Sequence, residues 1–253
     1  MLAIERRKEI LEKLQSQKRV VVSELSQIYD VSEETIRRDL EKLEKDGYAT
    51  KSYGGAVFNE HANLDLPLNI RKNRNVIEKQ LIAKEVCQLI QDGDTVMLDA
   101  SSTALYVAKA LKEKSNLTII TNSIEIIIEL LDKKDWSVLS TGGLSKEGTY
   151  ALVGPQTDKM LQSYHVDIAV ISCKGIDMKA GVTDTDELHS NNKRTMLNSA
   201  KKKVLAIDGT KFDQIGFTTI GELSDIEYVV TDKQPEERWK SFFEAEGILC
   251  MYP

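Results

Sequence analysis

The stretch that decides the fold is VSEETIRRDL, residues 31–40. Ser32 has the side chain of a typical helix N-cap. Beyond it, Ile36, Leu40 and Leu43 recur at the i, i+4 and i+7 spacing of one apolar helix face. The stretch therefore predicts a capped amphipathic helix over residues 32–45.

The residues on either side of this helix complete a recognisable pattern. An apolar face over residues 4–14 predicts a first helix, and Ser23 is expected to cap a second one. Gly47 is expected to end the third helix in a left-handed cap. Residues 48–58, with the pair Gly54-Gly55, predict a β-hairpin or wing. A short helix, a tight turn, a helix with arginines on its outer face and a wing together predict a winged helix-turn-helix.

The outer face of the third helix has side chains that suit double-stranded DNA. An arginine can bond the O6 and N7 atoms of guanine, and a threonine can contact a thymine methyl group or a phosphate. The expected DNA contacts are Ser32, Glu34, Thr35, Arg37, Arg38 and Lys42, with Lys18, Arg19 and Lys51 as clamps on the DNA backbone. The alternative is that both arginines are solvated helix charges, paired with carboxylates of the same helix.

The charge distribution requires such local contacts. The chain has a formal net charge of −6, but residues 1–58 contain 11 Lys and Arg against 11 Asp and Glu. The remainder therefore carries the whole negative charge. Bulk attraction does not favour DNA, so clustered bases must supply any phosphate contact.

The composition excludes several other classes of protein. The chain has 253 residues, 41% hydrophobic and 29% charged, as expected for a small plus a medium globular domain. No apolar run is long enough to cross a bilayer, and no signal-peptide pattern follows the charged start, so a cytoplasmic protein with no membrane partner is expected. Cys87, Cys173 and Cys250 are far apart, and with only three histidines neither a disulfide framework nor a metal site is expected. We assign no cofactor.

Residues 59–74 form a polar stretch that is expected to be a linker with room for a short helix. Beyond it, strand-like and helical segments alternate. Strands are predicted at 95–99, 117–121, 136–140, 167–172, 203–208 and 227–231. Helices are predicted at 103–112, 124–131, 156–163, 191–200 and 235–246. This alternation predicts an α/β domain over 75–253 with a Rossmann-like parallel sheet covered on both faces, after a winged domain over 1–58.

Five predicted strand ends carry small hydroxyl, glycine or lysine residues. Ligands of parallel sheets bind at the carboxyl ends of the strands. The expected ligand contacts at these ends are Asp99, Ser101, Ser102 and Thr103; Thr121, Asn122 and Ser123; Gly142 and Gly143; Lys174 and Gly175; and Lys211. Each group alone also fits an N-cap, a turn or a surface charge. Their convergence on one edge favours an anionic polyol as ligand.

The two halves together resemble the DeoR family of bacterial regulators. Residues 31–40, with Leu43-Glu44, Gly47 and Tyr53-Gly54-Gly55-Ala56, resemble its DNA-binding domain. Residues 74–232 look like its sugar-phosphate-sensing domain, which is similar to ribose-5-phosphate isomerase. The resemblance implies a regulator that binds operator DNA and responds to a phosphorylated sugar. We expect it to be a homo-oligomer and a repressor rather than an activator.

The chain departs from the family pattern at a few positions. Ser101 stands where glycine is usual, and Lys51 and Tyr53 stand in the wing where arginine and histidine are frequent. His189-Ser190 replaces a common Glu-Ala pair. Asp186 and Glu187 nearby are therefore the expected sources of the carboxylate. His189 is a candidate for ligand specificity, and the alternative is that it is a solvated loop residue.

Two other functions fit parts of the pattern. Asp99, Asp177, Asp208, Lys174 and Lys211 include the acid, base and electrostatic groups that a sugar-phosphate isomerase fused to a DNA-binding module would need. The winged domain would also suit a protein-interaction scaffold. We assign no catalytic residue, because the motifs favour a regulator over both.

Overall fold

A computed structural model describes residues 2–45, 48–58 and 67–253. The chain divides into two compact units, Met1–Pro67 and Leu68–Pro253. Gly47 and residues 59–66 of the expected linker lie outside the described residues. A short helix over Leu68–Arg71, of the kind the expected linker could include, buries Leu68 and Ile70 within the second unit.

The first unit has the predicted winged helix-turn-helix. Within residues 2–45 and 48–58 it consists of α1 (Ala3–Gln17), β1 (Arg19–Val21), α2 (Val22–Tyr29), α3 (Glu33–Lys45), β2 (Ala49–Ser52) and β3 (Gly55–Phe58). The strands form an antiparallel sheet in the order β1–β3–β2. The wing therefore includes a strand from before α2, in addition to the hairpin that the sequence predicted.

The glycine pair of the wing has two separate roles. Gly54 has φ of +76°, which suits the turn between β2 and β3. A Cβ atom on Gly55 would lie 2.0 Å from the carbonyl oxygen of Val20, so only glycine allows β1 to approach β3 there. Turn and close approach together fix the wing.

The predicted caps differ in outcome. The Ser32 hydroxyl accepts the backbone N–H of Thr35 at 3.2 Å, which confirms it as the cap of α3. The prediction for Ser23 is wrong, because α2 begins at Val22 and Val21 makes no side-chain cap bond. The strand β1 runs directly into α2, and burial of Val22 fixes that junction.

The helices of the first unit are joined by a core and a buried ion pair. Ile10, Leu14, Leu25 and Ile36 are at most 2% exposed. Asp39 points into this interior, where its Oδ2 lies 2.6 Å from Arg6 Nε and its Oδ1 lies 3.5 Å from Arg7 Nη1. Asp39 therefore connects α3 to α1 and is not available to neutralise the outer arginines of α3.

The second unit is the predicted α/β domain. Its elements are α4 (Leu68–Arg71), α5 (Val76–Gln88), β4 (Thr95–Leu98), α6 (Ser102–Ala110), β5 (Thr118–Thr121), α7 (Ile124–Leu130), β6 (Ser137–Ser140), β7 (Leu144–Lys146), β8 (Ala151–Val153), α8 (Pro155–Gln162), β9 (Val166–Ile171), β10 (Gly175–Asp177), β11 (Gly181–Asp184), α9 (Glu187–Asn198), β12 (Ala200–Ala206), β13 (Thr218–Gly221), β14 (Tyr228–Val230), α10 (Glu237–Glu246) and β15 (Leu249–Met251).

Parallel pairing places seven strands of residues 68–253 in one sheet, in the order β15–β14–β12–β9–β4–β5–β6. Alternate side chains pack on opposite faces: Val96 and Leu98 contact the cluster of α5, α6 and α7, whereas Met97 contacts that of α8, α9 and α10. The sheet is thus covered on both sides, which confirms the Rossmann-like prediction. None of the helices in the described part of the chain has the length and apolarity of a membrane span.

The sequence missed several elements. The hairpin β7–β8, the antiparallel sheet β10–β11–β13 and the edge strand β15 were not predicted. Helix α9 starts at Glu187, not at 191, because the Asp186 carboxylate accepts the backbone N–H groups of Leu188 and His189 and so caps it. These elements are three to four residues long or begin within a polar stretch, so they have little local periodicity.

The buried ion pair gives a stability prediction. We expect Asp39→Ala to lower the free energy of unfolding of the first unit by about 3–5 kcal/mol, because it leaves the Arg6 guanidinium buried without its carboxylate. Urea unfolding followed by hydrogen exchange of α1 and α3 measures this loss.

The matched control is Glu33→Ala, which removes an exposed partner of Arg37. It should cost at most about 1 kcal/mol. Equal losses in the two variants would contradict a structural role for the Arg6–Asp39 pair.

Candidate functional site

The outer face of α3 carries the predicted DNA-contacting residues. Ser32, Glu34, Arg37, Arg38 and Lys42 are exposed, and Thr35 is half-buried. The opposite face is buried against the unit's core. The side chains that can reach a DNA groove are therefore on one surface.

Both arginines form exposed ion pairs. Arg37 Nη2 lies 2.6 Å from Glu33 Oε2, and Arg38 Nε lies 3.6 Å from Glu34 Oε1. The pairing expected under the alternative interpretation is thus present. Exposed pairs contribute only about 0–1 kcal/mol, so the carboxylates compete weakly with a phosphate or a guanine. Pairing does not exclude DNA contact.

The expected backbone clamps lie around this surface. Lys51 Nζ lies 2.8 Å from Glu41 Oε1 and 3.8 Å from Glu44 Oε2, so it connects the wing to α3. Lys18 and Arg19 are exposed where β1 begins, with Lys18 Nζ 5.2 Å from the centre of the Phe58 ring. Lys51 is thus the member of this group with the most evident structural role.

The five strand ends of the second unit meet as predicted. They follow β6, β5, β4, β9 and β12, which are consecutive neighbours in the parallel sheet. Their carboxyl ends therefore lie along one edge. This edge brings together all five groups of residues expected to contact a ligand.

Asp99 organises the middle of this edge. Its carboxylate is 1% exposed and accepts the backbone N–H groups of Ser101 and Ser172, each at 3.1 Å. Lys193 Nζ lies 3.4 Å from the same carboxylate. One buried side chain thus shapes the loops that follow β4 and β9.

Lys193 connects this edge to the smaller antiparallel sheet. Its ammonium also contacts the carboxylate of Asp184, at the end of β11. Burial alone would lower the pKa of Lys193, but the Asp184 and Asp99 carboxylates outweigh it and raise that pKa. Lys193 has no local signal of a site residue in the sequence, because only the tertiary fold brings α9 to the strand ends.

The hydroxyl groups after β4 and β5 act partly as helix caps. Ser101 Oγ accepts the N–H of Ala104 at 3.0 Å, and Ser123 Oγ accepts that of Ile126 at 3.3 Å. Thr121 donates to the Leu98 carbonyl at 2.7 Å, and Ser102 and Thr103 are buried in the first turn of α6. The N-cap interpretation therefore holds for Ser101 and Ser123, and those hydroxyls are already engaged.

The glycines after β6 have a packing role. Gly142 and Gly143 have φ of +62° and +115°. A Cβ atom on Gly143 would lie 2.1 Å from Thr157 Oγ1, and that hydroxyl donates to the Gly142 carbonyl at 2.7 Å. The close approach that glycine permits here is to α8.

The other predicted ligand contacts lie at the starts of two elements, β10 and α9. Gly175 starts β10, where a Cβ atom would lie 2.3 Å from the Gln214 carbonyl oxygen, and the half-buried Lys174 precedes it. Asp186 caps α9 and lies 2.6 Å from Lys146. His189 is a buried residue of the first turn of α9. The Asp186 and His189 side chains thus belong to the start of α9, beside the hairpin β7–β8.

A second charged cluster lies at the end of β12. Lys79 of α5 is buried and donates to the carbonyl of Arg71 at 2.5 Å and to that of Arg74. Burial lowers the pKa of Lys79 to about 8, and the charges of Asp208 and Lys211 also act on it. Burial alone would raise the pKa of Asp208, but Lys211 and hydrogen bonds from Thr210 and Asn75 hold it below its usual value.

Neither Lys79 nor Asn75 was selected from the sequence. Lys79 lies between Glu78 and Gln80 in a helix, where a lysine is ordinarily a surface charge. Only the packing of α5 across β12 brings it near Asp208 and Lys211.

Asn122 has an unsatisfied buried atom. Its Nδ2 donates to the Leu152 carbonyl at 3.0 Å and to Asn192 Oδ1 at 3.3 Å. Its Oδ1 is buried and has no hydrogen-bond partner among the described residues. Such an atom marks a place where a bound molecule can supply the missing donor.

The segment that opens the second unit is attached to this edge. Leu68 N–H donates to the Gly148 carbonyl at 2.8 Å, within the β7–β8 hairpin, and Leu152 N–H of that hairpin donates to the Asn122 carbonyl at 2.7 Å. Lys72 lies 2.8 Å from Glu125, at the start of α7. The strand ends and the start of the unit therefore share one hydrogen-bonded structure.

Family comparisons match both units. Residues 6–62 match the DeoR-like helix-turn-helix domain, and residues 74–233 match the DeoR C-terminal sensor domain. A solved structure of ribose 5-phosphate isomerase A from Methanocaldococcus jannaschii is similar over 55% of each chain, with 19% identity and a TM-score of 0.40.

Named relatives span almost the full chain. The uncharacterized HTH-type transcriptional regulator YulB of Bacillus subtilis is 40% identical over 232 residues, which cover 92% of this chain and 90% of YulB. The HTH-type transcriptional regulator GolR of Listeria innocua is 36% identical, with 98% of each chain covered. With both domains matched and relatives of this similarity, the chain belongs to the DeoR family of DNA-binding transcriptional regulators.

Proposed function

We propose that this regulator is a cytoplasmic repressor of sugar-metabolism genes that leaves its operator when a phosphorylated sugar binds to the strand ends of the second unit. Residues 1–58 bind DNA, residues 75–253 bind the effector, and the residues between them transmit the change. A homo-oligomer presents two winged units to half-sites about 10 base pairs apart, or a multiple of that spacing.

The exposed arginines of α3 are the observation that carries the DNA-binding half of this proposal. They lie on the outer face of the second helix of a helix-turn-helix, whose N-terminal half reads bases in the known complexes of this motif. Their exposed carboxylate partners release them at little cost. Since Asp39 pairs with Arg6 inside the unit, its carboxylate does not compete with DNA for Arg37 or Arg38.

The charges along the strand ends support a phosphorylated effector. The Lys79–Lys211 end offers cations to a phosphate, next to a carboxylate that can accept a sugar hydroxyl. The Asn122 end offers a buried acceptor. A ligand with a phosphate at one end and hydroxyl groups along its length matches both features.

The engaged carboxylates near the strand ends favour binding of a sugar phosphate over its catalytic conversion. Asp99 is held by two backbone N–H groups and Lys193, and Asp177 accepts the N–H groups of Lys179 and Ala180 at 2.9 Å. Burial raises the pKa of the Cys173 thiol to about 12, which makes it a poor nucleophile. Turnover of aldose or ketose phosphates by the purified protein would instead support the isomerase alternative.

The arginines give the first functional prediction. We expect Arg37→Ala and Arg38→Ala to weaken binding to a duplex selected from a random DNA pool by about 5-fold or more each, since an arginine that reads a guanine contributes about 1–3 kcal/mol. An arginine that contacts a phosphate should also lower the slope of log affinity against log salt by about 1. Fluorescence anisotropy over a salt series measures both effects.

Arg238→Ala is the matched control. Arg238 is an exposed, ion-paired arginine of the second unit, with 55% side-chain exposure against 53% for Arg37. Its loss should leave affinity and salt slope unchanged. If the double variant Arg37→Ala/Arg38→Ala also bound DNA normally, α3 would not be the reading helix.

The pKa of Lys79 gives a pH prediction for the effector. Because burial lowers that pKa to about 8, the ammonium loses its proton as the pH rises through about 8, and its attraction for phosphate is lost. Sugar phosphates are already dianions in this range. We expect affinity to fall by up to ~10-fold per pH unit above that point, as one proton is linked to binding.

Calorimetric titration between pH 7 and 9 with ribose 5-phosphate, glucose 6-phosphate, fructose 6-phosphate and glycerol 3-phosphate tests this dependence. The Lys79→Met variant should bind the sugar phosphate more weakly at pH 7, and its affinity should no longer fall above pH 8. Lys84→Met, an exposed change on the same helix, should retain both. An unaltered decline in Lys79→Met would show that another group binds the phosphate.

A further inference from the structure

The side-chain amide of Asn122 is held in one orientation. It lies 2% exposed at the end of β5, between the ends of β4 and β6. Its Nδ2 lies 3.0 Å from the Leu152 carbonyl oxygen of β8. A carbonyl oxygen only accepts hydrogen bonds, so the Asn122 branch that faces it must be the NH₂ group.

A second chain of contacts imposes the same orientation. Asn192 Nδ2 of α9 lies 2.6 Å from the Asp158 carboxylate of α8, which also only accepts. Asn192 must therefore present its Oδ1 on the other side, where Asn122 Nδ2 lies 3.3 Å away. The NH₂ group of Asn122 thus donates to two acceptors on different elements, the Leu152 carbonyl oxygen and Asn192 Oδ1.

This arrangement fixes the hydrogen-bond character of the remaining atom. With both N–H bonds of Asn122 directed to Leu152 and Asn192, Oδ1 is a pure acceptor. It is buried without a partner among the described residues. Rotation of the amide cannot satisfy it, because that would leave two carbonyl oxygens facing each other. An external donor is the one group that completes the site.

We infer that Asn122 Oδ1 accepts a hydrogen bond from a sugar hydroxyl of the effector, and that Asn192 and Asp158 are positioning residues that fix it as an acceptor. The inference rests on the proposed effector function. A phosphate dianion has no proton to donate, so it does not fit here. The effector is therefore oriented with a hydroxyl at the β5 end and its phosphate towards Lys79 and Lys211.

The test compares hydroxyl and deoxy ligands. The full chain and Asn122→Ala are titrated calorimetrically with ribose 5-phosphate, glucose 6-phosphate and fructose 6-phosphate, and with deoxy analogues that each lack one hydroxyl. For the sugar phosphate that binds, one deoxy analogue should bind the natural chain about 10-fold more weakly. Asn122→Ala should bind that analogue and its parent equally, because the group that distinguishes them is gone.

The positioning residues need a readout beyond overall affinity. The hydroxyl-to-deoxy ratio is the affinity for the parent sugar phosphate divided by that for its deoxy analogue. Asp158→Leu should reduce this ratio towards 1. Asp158→Asn should keep it, because its Oδ1 can still accept from Asn192. Asn192→Leu should also lose the ratio, whereas Asn198→Leu, an exposed change on the same helix, should not. Circular dichroism confirms that each variant folds.

The outcomes separate this inference from the function on which it rests. Persistence of every hydroxyl-to-deoxy difference in Asn122→Ala, with a sugar phosphate still bound, would overturn the role of Asn122 and leave the effector proposal intact. Equal ratios in Asp158→Leu and the natural chain would overturn the positioning role. Absence of binding by every phosphorylated sugar would remove the effector proposal, and this inference with it.

Discussion

The parallel alignment of β12, β9, β4, β5 and β6 is the constraint on which the second unit depends. It brings five loops of polar residues to one edge of the sheet, although they are far apart in the chain. So many buried polar groups are tolerated only if they bond to one another. Asp99 does so with two backbone N–H groups and Lys193, and Asn122 does so through its NH₂ group. The atoms left over, such as Asn122 Oδ1, then define what a ligand must supply.

The same edge holds the beginning of the unit in place. Lys79 donates to the carbonyls of Arg71 and Arg74, and the charges of Asp208 and Lys211 act on it. A phosphate attracted to this ammonium would therefore compete with those two carbonyls. At the other end, the hairpin β7–β8 bonds both to Asn122 and to Leu68. A ligand that alters either end therefore acts on the first residues after the segment that joins the two units. Ligand binding controls DNA affinity only if the protein has two states that differ in their affinity for the ligand.

The parts of this arrangement that local sequence determines were predictable. The period of α3, the cap at Ser32, the wing glycines and the predicted sheet strands each have a signal within a few residues. The polar residues that contact the strand ends from other elements have no such local signal. Lys193, Lys79 and Asn192 are ordinary helix residues in sequence, and only the packing of α9 and α5 against the sheet brings them to the strand ends. The roles of the glycines after β6 were also hidden, because the atom that they approach belongs to Thr157, on another element.

Thermodynamic linkage between operator binding and sugar-phosphate binding is the decisive property of a regulator of this kind. Operator affinity of the full chain should be measured with and without a saturating sugar phosphate, and affinity for that sugar phosphate with and without the operator duplex. We expect each ligand to weaken binding of the other by the same factor, about 5–150-fold for a typical coupling free energy. Tight binding of both ligands with neither affinity altered would contradict it, and a sugar phosphate that strengthened operator binding would show that the protein does not act as a repressor released by its effector.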